Sequence, residues 1–261
     1  MAGMGLPGLW LFLILVVAVS IGLALGGIWL AKRIGVPEHG SGYNSSLSSF
    51  LTTVGLVYGA LLGFTVVVAW EQFSSAEANV TSESSTLVTM YRQTVGMPAD
   101  QQGKMRPLLR TYTTAVQDEW NSQNRDRAGD VARASITDMY RVLATQSQPG
   151  ASNPLTGEFA NQLTVLTSQR NTRILDARPR IPGLLWTGLV FGGLVLLSLL
   201  GFTRLDSKRG HAVLSSAVAI LLGLLLFIVF WLDHPFGHEL GVTPAPFEHA
   251  VQVFDGVDQG K

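Results

Sequence analysis

The chain contains no cysteine. That excludes disulfide staples, thiolate metal sites and cysteine nucleophiles together. Charge is also scarce: only 14% of residues are Asp, Glu, Lys or Arg, and eighteen basic residues balance eighteen acidic ones. No basic excess points to nucleic acid, and no excess of either sign points to a charged substrate. The phosphate loop GxxxxGK[ST], the nucleophile elbow GxSxG, the HExxH zinc motif and the glycine-rich dinucleotide fingerprint are all missing. The expectation is therefore a protein that is not an enzyme.

What the chain does have is apolar length. Hydrophobic residues make up 47% of it, mean hydropathy is positive, and glycine reaches 28 of 261 residues. Four runs carry the excess: Leu9–Ala31, Phe50–Trp70, Pro182–Phe202 and Ala212–Leu232. Each is 21 to 23 residues long with no Asp, Glu, Lys, Arg or His. A helix rises about 1.5 Å per residue, so each run is long enough to cross roughly 30 Å of hydrocarbon. Five of the six tryptophans, Trp10, Trp29, Trp70, Trp186 and Trp231, stand near the ends of these runs, where amphipathic indoles collect at the headgroups. The first run follows a leader without Lys or Arg and is followed by Lys32 and Arg33. It reads as a retained helix rather than a cleaved signal.

The fold class expected is an all-α membrane protein: four transmembrane helices with a helical extramembrane bundle between the second and third. The divisions are 1–70, a first helix pair; 71–181, the bundle; 182–232, a second pair; and 233–261, a tail. Within the bundle, apolar residues recur at helical spacing: Val80, Leu87, Met90 and Tyr91; Leu109, Tyr112, Val116 and Trp120; Phe159, Leu163, Leu166 and Ile174. The first series continues the second membrane run with no Gly or Pro before Gly96 and Pro98, which predicts one helix running from the membrane into the bundle. Turns are expected at NSQNRDRAG and SQPGASNP. Lys32, Arg33, Arg204, Lys208 and Arg209 fall in the two short connections. The positive-inside rule then places those connections in the cytoplasm of a plasma (inner) membrane protein, and the bundle outside. Arg170, Arg173, Arg178 and Arg180 weigh against that orientation. Asn44 and Asn79 each begin an N-x-[ST] triplet, a pattern common by chance.

Small residues recur every fourth position in the spans: Gly55, Gly59 and Gly63 in the second, Gly188 and Gly192 in the third, Gly22 and Gly26 in the first. Such spacing lets helix backbones approach closely in lipid. Packing within one chain is one reading, and an oligomer interface is the other. Phe64 and Val68 lie opposite part of this glycine face and are the pore-flanking candidates. Proton relays and ion-coupled carriers need ionisable groups at depth, and the spans offer none. A pore lined by apolar groups remains open.

After the fourth span, Asp233, His234, His238 and Glu239 stand within seven residues. Imidazole and carboxylate together suggest a metal ion. The competing reading is an exit turn, in which Pro235 and Gly237 end the helix and Asp233 accepts backbone N–H groups or pairs with Arg178 or Arg180. The exit turn is preferred, so no cofactor is assigned.

The stretches YGALLGFTVVVAWEQF with AEANVTSESSTLVTMYR, LLRTYTTAVQDEW, RIPGLLW, and LDHPFG followed by VTPAPFEHAV resemble, in order along nearly the whole chain, a bestrophin-like membrane family, a domain of unknown function. The resemblance implies a distant likeness to bestrophins, pentameric anion channels with four membrane helices per subunit. It assigns Asp233, Pro235 and Phe236 to a shared structural motif and leaves His234 and His238 at variable places. Bestrophins follow a similar PFG with an acidic run that grips calcium. Here HELGVTP follows it, with Glu239 the single carboxylate, too few oxygens for a full clasp. The function expected is thus an oligomeric, channel-like membrane protein whose partners are the lipid bilayer and further copies of the chain, without nucleic acid. The alternative is a membrane scaffold or sensor whose bundle binds a protein partner without transport.

Overall fold

A computed structural model of the chain describes residues 6–33, 43–120, 125–145, 154–203, 207–236 and 240–260. The expectations that fall on Gly237, His238, Glu239 and Arg204, on 121–124 of the first predicted turn and on 147–153 of the second lie outside these residues; Arg125 to Gly129, expected in the first turn, instead begin a helix. Among the described residues there are eight α-helices and no strands: α1 (Leu6–Arg33), α2 (Tyr43–Gln93), α3 (Ala99–Asp118), α4 (Arg125–Ala144), α5 (Pro154–Asp176), α6 (Gly183–Phe202), α7 (Lys208–Leu232) and α8 (Ala245–Asp258). A 3₁₀ turn, Thr94–Gly96, follows α2, and Pro98 precedes α3. This is where Gly and Pro first interrupt the helical pattern. The fold class is the expected one: α1, α2, α6 and α7 are the four helices long and apolar enough to cross a membrane.

The described chain separates into two compact units. The membrane unit comprises Gly5–Phe73 and Pro179–His234, and the extramembrane unit comprises Ser74–Arg178 and Pro235–Lys261. The second therefore includes α8 from the C-terminal segment as well as the inserted helices. A single 51-residue helix, α2, contributes to both.

In the membrane unit, α1 packs on α6 and α7, and glycine sets how closely. A Cβ added at Gly201 would stand 2.6 Å from the backbone carbonyl carbon of Gly27, so α1 and α6 touch main chain to main chain. Gly223 of α7 likewise leaves room for Ser20 of α1: its added Cβ would lie 2.9 Å from Ser20 Oγ. Ser20 meanwhile donates back to the Val16 carbonyl at 2.9 Å, which satisfies its hydroxyl without a partner helix. Tyr58, Leu62 and Ala69 of α2 form a buried stripe with Leu189, Leu196 and Leu197 of α6 and Ala219, Leu222 and Val229 of α7.

The extramembrane unit has an apolar core. Leu87, Met90, Tyr91, Met105, Leu109, Tyr112, Met139, Phe159, Leu163, Leu166, Phe247 and Phe254 are all fully buried. Tyr91 and Phe254 stack with ring centroids 4.0 Å apart, which brings α8 against α2. In the third apolar series the structure departs from expectation. Phe159, Leu163 and Leu166 are buried, but Ile174 is 40% exposed. The positions that continue the buried stripe of α5 are Arg170 and Arg173.

Candidate functional site

Three arrangements have chemistry to offer: the outer face of α2, the turn after α7, and a buried cluster of charge in the extramembrane unit.

On α2 the buried residues Tyr58, Leu62, Thr65 and Ala69 follow one stripe. A second face of the helix is exposed and apolar, including Leu56, Val57, Phe64 at 73% exposure, Val67 and Val68, while Leu51, Val54, Leu61 and Val66 are partly buried against the core. Gly59 and Gly63 bound this exposed face on one side, and an added Cβ at either would meet nothing within 4 Å. Phe64 and Val68 bound it on the other; at roughly 100° per residue Gly59 and Phe64 lie about 140° apart. Of the remaining small-residue candidates, Gly55 lies 3.8 Å from Leu196 Cδ1 by the same measure, and Gly188 of α6 is open. Gly192 is covered by the Tyr58 ring, which an added Cβ would approach to 2.6 Å. That ring is fixed by its own hydroxyl, which donates to the Leu189 carbonyl at 3.0 Å. Gly201 against Gly27 and Gly223 against Ser20 are further close contacts, at glycines whose spacing is not a repeat of four. Motif spacing along one helix did not reveal them, because close approach depends on the facing helix.

At the end of α7, Asp233 is 2% exposed. Its Oδ1 accepts the backbone N–H groups of Arg180 at 2.9 Å and Ile181 at 3.0 Å, and its Oδ2 accepts Trp186 Nε1–H at 3.2 Å. One carboxylate thus fixes the two residues that precede Pro182, the N-cap of α6. His234 Nδ1 lies 2.9 Å from the Phe230 carbonyl, as a donor to it, and the imidazole packs on the Phe230 ring. No group of three His, Asp or Glu side chains suited to a metal occurs among the described residues. Pro235 and Phe236 continue into the extramembrane unit. There the Pro235 carbonyl accepts Val242 N–H at 2.8 Å, and Phe236 meets Trp120 edge-on at 5.8 Å. Arg178 is exposed. Asn79 donates to Asp176 Oδ2 at 2.7 Å within the same unit.

The third arrangement escaped the sequence pattern. Glu83 of α2 is fully buried and accepts Tyr112 O–H at 2.5 Å and Arg173 Nε–H at 2.7 Å. Arg173 Nη1 reaches Glu119 Oε2 at 2.9 Å, and Glu119 Oε1 accepts Arg170 Nη2 at 2.6 Å. Two acids and two arginines therefore alternate as Glu83, Arg173, Glu119, Arg170. Burial would by itself lower the pKa of Arg173, but Glu83 and Glu119 outweigh it and raise the guanidinium further. Burial, and after it the Glu83 charge, hold the Tyr112 hydroxyl well above its ordinary 10.0, so it stays a proton donor. A signal was present in the sequence: three of these residues sit three or four positions beyond a core residue, Glu83 after Val80, Glu119 after Val116 and Arg170 after Leu166, and Arg173 follows Arg170 by three. Charge in register with an apolar stripe marks a buried ion pair as readily as the end of a core.

A family model described as Bestrophin-like domain matches residues 18–247. A search of curated proteins found no match. Among solved structures, a bacterial bestrophin homologue from Klebsiella pneumoniae, determined by Zn-SAD phasing, is similar over 92% of this chain and 96% of its own, with 14% identity and a TM-score of 0.69. Two mutant forms of the Klebsiella pneumoniae homologue give TM-scores of 0.70 and 0.71 at 14% and 13% identity. One covers 94% of this chain and 98% of its own, the other 93% and 97%. At such identities the likeness establishes the fold.

Proposed function

The chain belongs to the bestrophin-like family, and we propose that it works as a homo-oligomeric, channel-like protein of the plasma (inner) membrane, with α2 flanking the path. The observation that carries this reading is the exposed face of α2. In one chain, Gly59 and Gly63 have open space beside them and Phe64 is 73% exposed. Small residues on that face favour close helix contact in lipid, which a second copy supplies. The bulky apolar residues at the other edge suit a constriction that gates by excluding water. The bestrophin fold supports the same reading, since bestrophins are pentameric channels with four membrane helices per subunit. The four spans contribute no ionisable ring, so passage through this path is governed by width and wetting.

The test is conductance of purified protein in planar bilayers, together with its mass in detergent. Phe64→Ala is expected to raise single-channel current. Absence of selective current in any salt, from protein shown to be oligomeric, removes the channel reading. A monomer removes the enclosed path. Orientation is tested separately by single cysteines, which are clean probes because the chain has no native thiol. Charge in the short connections supports shielding at Ser207 and labelling at the exposed Ser168 of α5 in intact cells. The reverse result places the helical bundle in the cytosol.

A further inference from the structure

At one end of the membrane unit, bases from two separate stretches of chain reach a common level. α1 packs on α7. Phe12 of α1 meets Phe230 of α7 with ring centroids 4.8 Å apart, and Ser20 faces Gly223, so the two helices run antiparallel. Arg33 lies thirteen residues beyond Ser20, and Lys208 and Arg209 lie fifteen and fourteen before Gly223. At about 1.5 Å per residue, all three stand about 20 to 23 Å from that contact, on the same side of it. Packed helices lie about 8–10 Å apart, so a single lipid headgroup can meet bases from both.

Arg33, Lys208 and Arg209 are exposed, and none has a carboxylate partner among the described residues. The first turn of α7 holds no acid, and cations there oppose the helix dipole, so helix stability does not account for them. Residues 32–42 and 203–211 together hold five bases, with Lys32 and Arg204, against two acids, Glu38 and Asp206, an excess of three positive charges. The Arg33 guanidinium lies over the Trp29 indole, 5.2 Å from the ring centroid. That ring is 59% exposed, and exposed indoles settle at the headgroup level, so the stack holds a cation at that depth. Stacking uses the face of the guanidinium and leaves its in-plane N–H groups for an oxyanion. About one turn further into the span, Leu30 of α1 and Val213 and Leu214 of α7 are exposed and apolar.

We propose that this end of α1 and α7 binds an acidic phospholipid, with the headgroup phosphate on Arg33, Lys208 and Arg209 and the acyl chains along Leu30, Val213 and Leu214. Attraction of bases for anionic lipid fades within a Debye length, about 8–10 Å. Bases level with Trp29 lie within that reach. A free phosphate would use the bases and leave the apolar surface beneath them unused. The site lies within the membrane unit, needs only that the unit cross a bilayer, and holds whether or not the chain conducts.

The experiment counts lipids retained by the full chain, in native mass spectrometry, from detergent micelles holding equal dioleoylphosphatidylglycerol and dioleoylphosphatidylcholine. Phosphatidylglycerol is expected to be retained about tenfold or more over phosphatidylcholine. The triple variant Arg33→Gln/Lys208→Gln/Arg209→Gln is expected to bring the preference to about twofold or less, with an unchanged melting temperature in phosphatidylcholine micelles. Removing three exposed bases of the extramembrane unit, by Arg127→Gln/Arg133→Gln/Arg141→Gln, should leave the preference intact. If the first triple variant does not fold, Arg33→Gln and the pair Lys208→Gln/Arg209→Gln are measured separately, and each is expected to lower the preference about twofold or more. The proposal is overturned if the parent retains both lipids alike, if the preference survives loss of the bases at the end of α1 and α7, or if the extramembrane variant loses it equally. Displacement of the lipid by about 10 mM glycerol phosphate at constant ionic strength would assign the bases to a soluble phosphate and overturn it as well.

Discussion

The two units use opposite means to hold helices together. The extramembrane unit holds ion pairs such as Arg173–Glu83, Arg170–Glu119 and Arg106–Asp258; there water drives an apolar core together and four buried charges are embedded in it. The membrane unit has no such drive between its helices, since lipid is as apolar as leucine. Its contacts are steric, Gly27 against Gly201 and Gly223 against Ser20. Its polar side chains close on backbone groups, within a helix for Thr65 on Leu61 at 2.8 Å and between elements for Tyr58 on Leu189 and for Asp233 on Arg180 and Ile181. One unit depends on matched charge and the other on the absence of side chains.

The most damaging single change is expected in the charge cluster. Arg173→Met leaves Glu83 fully buried with only the Tyr112 hydroxyl for a partner, and breaking a buried pair in this way costs about 3–5 kcal/mol. Chemical denaturation of the detergent-solubilised protein measures it. Glu83→Leu combined with Arg173→Met removes both charges, and this double variant should recover much of the loss. A double variant no more stable than Arg173→Met alone would mean that the charges themselves, and not their pairing, hold the unit.

Steric contact in the membrane unit comes next. Gly201→Ala places a Cβ against the Gly27 backbone, which has no side chain to move, and is expected to cost about 1–3 kcal/mol as an overpacked contact while leaving assembly size unchanged. Gly59→Leu meets open space within the chain, so its effect should fall on assembly size in gel filtration. If Gly59→Leu elutes and melts as the parent does, that face of α2 meets lipid. The comparison then stops at the single chain.

These contrasts also explain what could be read beforehand. The four spans were legible because charge-free runs of more than twenty residues have few other uses, and the soluble helices were legible from stripes such as Leu109, Tyr112 and Val116. The charge cluster was not. Glu83, Glu119, Arg170 and Arg173 occupy core positions, but a charged residue ends an apolar stripe to the eye, and Ile174 took the place of Arg173 in the expected pattern. Pairing between distant helices leaves no mark on the spacing within either. The close glycines escaped for the same reason: Gly201 matters because Gly27 faces it, and no repeat along α6 encodes that. The contact a second copy would make at Gly59 is set by another chain, beyond the reach of spacing in this one.

A smaller effect, about 1–3 kcal/mol for lost hydrogen bonds to a charged acceptor, is expected at the exit of α7. Asp233→Ala removes the acceptor for Arg180 N–H, Ile181 N–H and Trp186 Nε1–H at once. Replacing His234 and His238 together by Gln should change stability little, because His234 reaches only the Phe230 carbonyl from its Nδ1. Thermal melting with metal analysis separates the two readings of this stretch. Joint loss of bound metal and of stability in the histidine variant would restore the metal site.

The weakest expected effect lies in the extramembrane unit at α8 and sharpens the comparison through pH. Asp258 accepts Tyr91 O–H, Arg106 Nη1–H and Arg110 Nη2–H, each at 2.7 Å, and Arg110 also reaches Asp255 at 2.8 Å. Burial alone would raise the Asp258 pKa, but these hydrogen bonds and the two arginine charges outweigh it and hold the carboxyl below its ordinary 3.8. A depressed folded value means that the stabilisation is fully present above 3.8 and fades as pH falls through the lower folded value. The side chain is about one-third exposed, so water screens much of the attraction and the effect is modest. Asp258→Asn should therefore flatten the acid limb of the stability profile and leave it unchanged near neutrality apart from a small uniform drop. Titration of the melting temperature from pH 6 downward in parent and variant reads this directly. Parallel acid limbs in the two proteins would show that α8 is held by the stacking of Phe254 on Tyr91, with the carboxylate contributing nothing that protonation removes.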